Sequence, residues 1–168
     1  MQATSFIIGV SFGRDVYKDT TYPIIPRFGD AEALEMSESG LVSIQSHSYD
    51  MHQYEPYETG PYRRGVLMRS DESEREYIAA FTEDFNLSAG QIESMLGSQA
   101  FVYSYPFGIH TDLTESLLRD MGIRVTLTIE PGVNSVAQGS PESLFSMRRF
   151  NVPGDMQPER LIDMIDYK

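Results

Sequence analysis

The chain has 168 residues, 40% hydrophobic and 23% charged, a composition that suits one globular domain with its own core. Its 25 acidic and 13 basic residues give a net charge of −12, which argues against nucleic acid, because binding a phosphate backbone needs clustered Lys and Arg. With no cysteine it has no disulfide, thiolate zinc site or cysteine nucleophile, and it shows neither a membrane-length apolar run nor a signal segment.

Residues 4–10, TSFIIGV, are β-branched and aromatic and read as a buried strand. A loop rich in Tyr, Pro and Gly leads to DAEALEMSESG, a short helix with Asp30 as its cap and Gly40 as its stop. LVSIQSHS (41–48) is the next strand, and the aperiodic stretch 49–69 is a long loop. Residues 70–97 carry Tyr77, Ile78, Phe81 and Phe85 at helical spacing; Ser70 or Ser73 caps the start, and Gly90 is expected to divide two helical pieces. AFVYSYPFG (100–108) is a strand ending in a turn, and HTDLTESLLRDMG (110–122) is a helix capped by Thr111 or Asp112. RVTLTIEPG (124–132) is a strand, a short strand lies within 145–154, and Pro158 opens a last helix over 158–166. This alternation predicts an α/β layer or barrel with parallel strands and a site at their carboxyl ends. The strand ends at His47-Ser48, at Tyr105-Pro106-Phe107-Gly108 and at Glu130-Pro131-Gly132 then fall on one rim.

Two of the three histidines, His47 and His52, flank Ser-Tyr-Asp-Met directly after an apolar strand. A spacing of five puts side chains on opposite faces of a strand and well apart on a helix. They converge only if the strand ends near Ser46 to Ser48 and the backbone then curls. Two converging neutral imidazoles suit a divalent metal, zinc above all; the alternative is two loop histidines without a shared role. Asp50 is a third ligand, a partner for an imidazole N–H or, most commonly for a loop aspartate, a turn residue. The YSYPFG turn offers backbone N–H groups for an oxyanion and rings for a sugar, or is a plain strand-ending turn. His110 reads as a residue near a helix start rather than a ligand or general acid. No G-x-S-x-G elbow and no phosphate-binding glycine pattern is present.

Taken together, these motifs resemble the polysaccharide deacetylases, carbohydrate esterase family 4, and in particular the branch acting on poly-N-acetylglucosamine. LVSIQSHSYDMH resembles that branch's second motif, and YSYPFG resembles its third. LLRDMGIRVTLTIEPGVNS and SMRRFNVPG resemble the segments that follow, so the likeness runs along nearly the whole chain in one order. The resemblance implies a distorted or incomplete (β/α) barrel of NodB-like type and metal-assisted hydrolysis of an N-acetyl group on a cell-surface or extracellular glycan. It implies His47 and His52 as ligands of a divalent metal, expected to be zinc, with Ser48 and Asp50 in support. It also implies the N–H near Phe107 at the oxyanion, and Tyr105 and Phe107, with Pro106 and Gly108, lining the sugar site.

The family's first motif is a strand ending in paired aspartates, which supply the base and the third ligand. The resemblance places it before MQATSFIIG, so no catalytic carboxylate is assigned here, and no motif supports Asp15 or Asp19 in that role. Residues 1–168 are therefore expected to be one deacetylase-like domain truncated at its N-terminus, with an exposed sheet edge through which it could dimerise. The competing expectations are a catalytically inactive glycan-binding relative that holds sugar on Tyr54, Tyr57 and Tyr62, and an α/β domain whose histidines carry no function.

Overall fold

The computed structural model describes residues 2–166. Four strands, β1 (Ala3–Ile7), β2 (Val42–Ser46), β3 (Val102–Ser104) and β4 (Val125–Leu127), form one parallel sheet in the order β1-β2-β3-β4. Among the described residues the sheet is open, and β1 has a strand neighbour on one side only. Helices α1 (Asp30–Glu38), α2 (Glu74–Leu96), α3 (Asp112–Asp120) and α4 (Pro158–Asp166) alternate with the strands or follow them. This is the α/β architecture of an incomplete barrel. Among the described residues no helix is long and apolar enough to cross a membrane.

The strand expected within 145–154 is reduced to a bridge at Met147 beside Leu127. Thr128 N–H donates to Met147 O, Met147 N–H to Thr126 O, and Arg149 N–H to Glu130 O, so the segment follows β4 without forming a ladder of its own. Helix α1 starts one residue earlier than its acidic run suggests: Gly29 is the cap, and its N–H donates to the Glu32 carboxylate at 3.0 Å.

Helix α2 decides the packing. It is one uninterrupted helix of 23 residues rather than two pieces divided at Gly90. Ser73 caps it in a reciprocal capping box with Glu76, and Gly97 ends it in the left-handed conformation. Tyr77, Phe81, Phe85 and Ile92 form its buried stripe. The first three join Tyr103, Tyr105 and Leu118 in one core cluster, while Ile92 joins Ile7, Ala33 and Ile44 in another. Fully burying each such side chain is worth about 1.5–3 kcal/mol, against about 1 kcal/mol for a glycine in a helix interior. Packing therefore overrides the weak point. Nothing lies within 4 Å of the position a Gly90 side chain would take. Gly90→Ala should stabilise the protein by about 0.5–1 kcal/mol, read as a raised urea midpoint with an unchanged slope.

Side chains alternate across a strand. Ile44 and Ser46 share the β2 face on which α2 lies, since Ser46 Oγ and Ser88 Oγ are 2.8 Å apart. Ser43, Gln45 and then His47 continue along the opposite face. Gln45 uses that position to tie two strands, its Oε1 accepting from Phe101 N and Val102 N at 2.9 Å each. The sheet thus has an apolar face under α2 and a polar face that leads to His47.

Candidate active site

Strand β2 ends at Ser46, and Ser48 takes a left-handed backbone with φ 81°. That conformation costs a non-glycine residue about 1–3 kcal/mol and persists only where its surroundings fix it. Here three hydrogen bonds do so: Ser48 N donates to Ser46 Oγ, Met51 N donates to Ser48 Oγ, and Gly9 N donates to Ser48 O. The chain curls, and the His47 and His52 rings come to 5.0 Å between centroids. Convergence at an awkward spacing is achieved by the strand ending where the sequence said it must.

Two neighbours shape the curl from outside. Gly9, just past β1, leaves room for Tyr49, whose Cδ2 would sit 2.2 Å from any added Cβ. On α2, Asp84 accepts from Tyr49 N at 2.9 Å and from Asp50 N at 2.6 Å, one on each carboxylate oxygen. Burial pushes Asp84 up to about 6, and the two N–H donors pull in the opposite direction. Asp84→Asn would set an amide NH₂ against one of those N–H groups. An expected loss of about 1–3 kcal/mol should appear in urea unfolding.

His47 is oriented by β3. Its Nδ1 donates to the Ser104 carbonyl at 2.5 Å, which leaves Nε2 with a free lone pair. Burial holds its pKa down at about 4, lowered further by the neighbouring His52 and Arg149 although the Ser104 carbonyl raises it. Burial likewise lowers His52, whose Nδ1 is buried without a hydrogen-bond partner among the described residues. Both imidazoles are therefore neutral near pH 7, the state in which nitrogen binds a metal.

The third strand end supplies the opposite wall. Tyr105-Pro106-Phe107-Gly108 forms a tight turn in which both Phe107 (φ 57°) and Gly108 (φ 68°) are left-handed. The turn places the Phe107 ring 4.3 Å from His52, tilted by 33°, and 6.1 Å from Tyr54. Among the described residues no acceptor pairs with the Phe107 N–H.

Three residues stand elsewhere than the motifs suggest. Tyr105 is fully buried, edge-on to Tyr103 at 5.3 Å and stacked on His110 at 5.4 Å. Its ring belongs to the core rather than to a sugar-facing surface, because it shares the inward parity of Tyr103. Pro106 is buried as well. Asp50 is a turn residue that pairs with Lys18, its Oδ1 lying 2.7 Å from Lys18 Nζ. Burial raises its pKa, and Lys18 opposes that shift. The same Nζ also binds Glu58 at 2.7 Å, which joins the curl to the loop beyond it. Asp84 and Lys18, both missed in the sequence, bear no local signal; only the fold brings them to the curl. His110 packs on Tyr105 at the start of α3, as its position before the Thr111 cap suggests.

A metal is implied by the family that the sequence resembles. Two neutral imidazoles, one with its tautomer fixed and one with an orphaned buried nitrogen, fit two positions of such a centre. Among the described residues no three His, Cys, Asp or Glu side chains gather into a metal-binding group.

A parallel sheet that gathers paired imidazoles and a free amide at its carboxyl rim has the layout of α/β proteins with rim sites. A family model described as polysaccharide deacetylase matches residues 1–126, and the chain belongs to that family. Comparison with curated proteins finds no match. Among solved structures, IcaB from Ammonifex degensii gives a TM-score of 0.68 at 22% identity, covering 89% of this chain and 56% of that one. The Streptococcus pyogenes deacetylase PplD, in complex with acetate, gives 0.69 at 18% identity, over 98% and 59%. The BpsB deacetylase domain from Bordetella bronchiseptica gives 0.61 at 25% identity, over 82% and 53%. The chain thus spans little more than half of each of these structures.

Proposed function

We propose that this chain carries part of the centre of a metal-dependent hydrolase that removes N-acetyl groups from an N-acetylglucosamine-containing glycan at the cell surface or outside the cell. The observation that carries the reading is the convergence of His47 and His52 beside the Phe107 turn. His47 and His52 would hold the metal, zinc by expectation, and bound there it would supply Lewis acidity toward the acetyl group. Ser104 O keeps the His47 proton on Nδ1, so Nε2 stays available. Ser48 and Asp84 hold the curl that joins the two rings. The Phe107 N–H, which has no acceptor among the described residues, would donate to the negative charge that develops on the acetyl oxygen, an interaction that gains strength away from water. The Phe107 ring offers an apolar face to the sugar.

Acetate release from an N-acetylglucosamine pentamer by the zinc-loaded chain tests the reading. Release that stops on chelation and in His47→Ala supports it. Release indifferent to both treatments contradicts it, and no release from a chain that also retains no zinc favours a catalytically inactive glycan-binding relative. No release with zinc retained by His47 and His52 is the result of a centre that lacks its carboxylates among the described residues.

A further inference from the structure

The sheet fixes His47, whose Nδ1 bonds the Ser104 carbonyl at the end of β3. His52 has no such tie, since its Nδ1 is without a hydrogen-bond partner among the described residues. Instead, one dipeptide from the loop between β1 and α1, Tyr17-Lys18, grips the chain on both sides of it. Two residues before His52, Asp50 Oδ1 lies 2.7 Å from Lys18 Nζ. Two residues after it, Tyr54 N–H donates to the Tyr17 hydroxyl at 3.3 Å. The grip closes on itself at Glu58. Its carboxylate accepts from the Tyr17 hydroxyl, and its two oxygens lie 2.8 and 2.7 Å from Lys18 Nζ. Ring packing follows the same route: Tyr17 is edge-on to Tyr54 at 6.1 Å, and Tyr54 stands 5.3 Å from His52, between centroids.

A solvated surface lysine would hold nothing in place. Here the Lys18 side chain is 18% exposed and that of Glu58 11%, so water and salt screen the pair little. The backbone is also bent to deliver the ammonium. Lys18 has φ 47°, a left-handed conformation that costs any residue with a side chain and persists only where the surroundings impose it. The imposition is a short hairpin. Val16 bridges Pro23, Tyr17 N–H donates to Tyr22 O at 2.9 Å, and Thr20 N–H donates to Tyr17 O at 3.0 Å. The Arg14 guanidinium braces the turn by donating to Lys18 O at 2.6 Å. Glycine or asparagine would sit in that turn with less strain. What explains a lysine there is what its ammonium reaches.

We propose that Lys18, together with Tyr17, is a positioning residue that sets His52 opposite His47 at the separation a shared metal ion needs. The proposal rests on the hydrolase reading for the ion and on the grip itself for the placement. Without the ammonium, Asp50 and Glu58 repel across the gap it fills. Asp50 then turns toward solvent and carries the backbone of His52 with it. Ligands already held in place spare the metal the cost of ordering them. Support of this kind around a metal ligand is worth roughly 10–100-fold in affinity.

The test compares the full chain with Lys18→Met, which keeps the stem and loses the charge, and with Lys18→Arg, which keeps the charge. Ile92→Val, which loosens the core away from this loop, is the control for stability alone. Zinc affinity is measured by competition with a chromogenic chelator. In zinc-free protein, NMR follows the His52 ring protons, whose resonances are displaced by the Phe107 ring 4.3 Å away. Lys18→Met should weaken zinc about 10–100-fold and move the His52 resonances toward those of an unpacked histidine. Lys18→Arg should recover most of both, and Ile92→Val should change neither. If Lys18→Met does not fold, Tyr17→Phe, which removes only the hydroxyl between Glu58 and Tyr54 N, makes the same comparison. Parent-like zinc affinity or parent-like His52 resonances in Lys18→Met, or equal losses in Ile92→Val, overturn the proposal. A parent that holds no zinc sinks the hydrolase reading instead, and the His52 resonances then decide the positioning role by themselves.

Discussion

Glu72→Gln should cost about 3–5 kcal/mol, a large part of the stability of a domain this size. Arg63 and Glu72 meet through two hydrogen bonds, at 2.6 and 2.7 Å, with only 7% and 5% of their side chains exposed. Removing one charge leaves the other buried and uncompensated, and that penalty exceeds what the intact pair contributes. The node is also a junction. Arg63 donates to Leu67 O, its guanidinium stands 5.5 Å from the centre of the Tyr77 ring, and Glu72 accepts from Arg69 N. It therefore pins the loop that runs from His52 to α2. The Arg63 hydrogen bonds hold Glu72 below the usual carboxylate range. A folded-state pKa below the unfolded one gives a contribution that is complete above the unfolded value, about 4.3, and is lost as pH falls through the folded value. The gap between parent and variant in urea midpoint should thus be widest near neutrality and narrow in acid. A gap independent of pH would contradict the ion pair as its source.

Gly108→Ala should be the most damaging single-methyl change at the candidate centre. An added Cβ would lie 2.4 Å from Ile129 Cγ1 and 2.7 Å from the Ile129 backbone nitrogen, at a φ of 68° that disfavours any side chain. The isoleucine tip could rotate away, but the backbone atom cannot move without shifting the end of β4. Strain of this kind costs about 1–3 kcal/mol, and overpacking adds a similar amount. The turn has no other way to relieve the overlap than to move, and it carries the Phe107 N–H with it. The expected result is a lowered melting temperature together with loss of acetate release larger than the stability loss explains. A variant with parent-like melting and release would show that the turn tolerates displacement.

The sequence is most legible where local chemistry and tertiary packing agree. Ser73 and Thr111 cap α2 and α3 as their positions suggest, and the runs 41–48 and 100–108 each hold a strand. The run 4–10 gives β1 only as far as Ile7, the one buried residue of that strand, because Gly9 to Ser11 turn away as a short 3-10 helix. The histidine pair was readable because a spacing of five demands a strand end, and Ser48 supplies it. Gly90 misled because glycine is a local signal, whereas the burial of Ile92 beyond it is a tertiary one. Tyr105 misled through its motif, although its parity with Tyr103 across one residue already placed it inward. Asp84, 34 residues from Asp50, and the Ser104 carbonyl, 57 from His47, could not be read at all. A carboxylate on a helix face and a backbone oxygen acquire their roles only when the sheet and α2 close around them.

The central claim is that His47 and His52 act together on one metal ion. Zinc content per chain, measured after loading and dialysis for the parent and for His52→Ala, addresses it most directly. The account predicts retained zinc in the parent and a fall in His52→Ala beyond the roughly 10–100-fold affinity loss typical of an outer-sphere change, with both proteins folded. Equal zinc in the two proteins, or none in the parent, would contradict it.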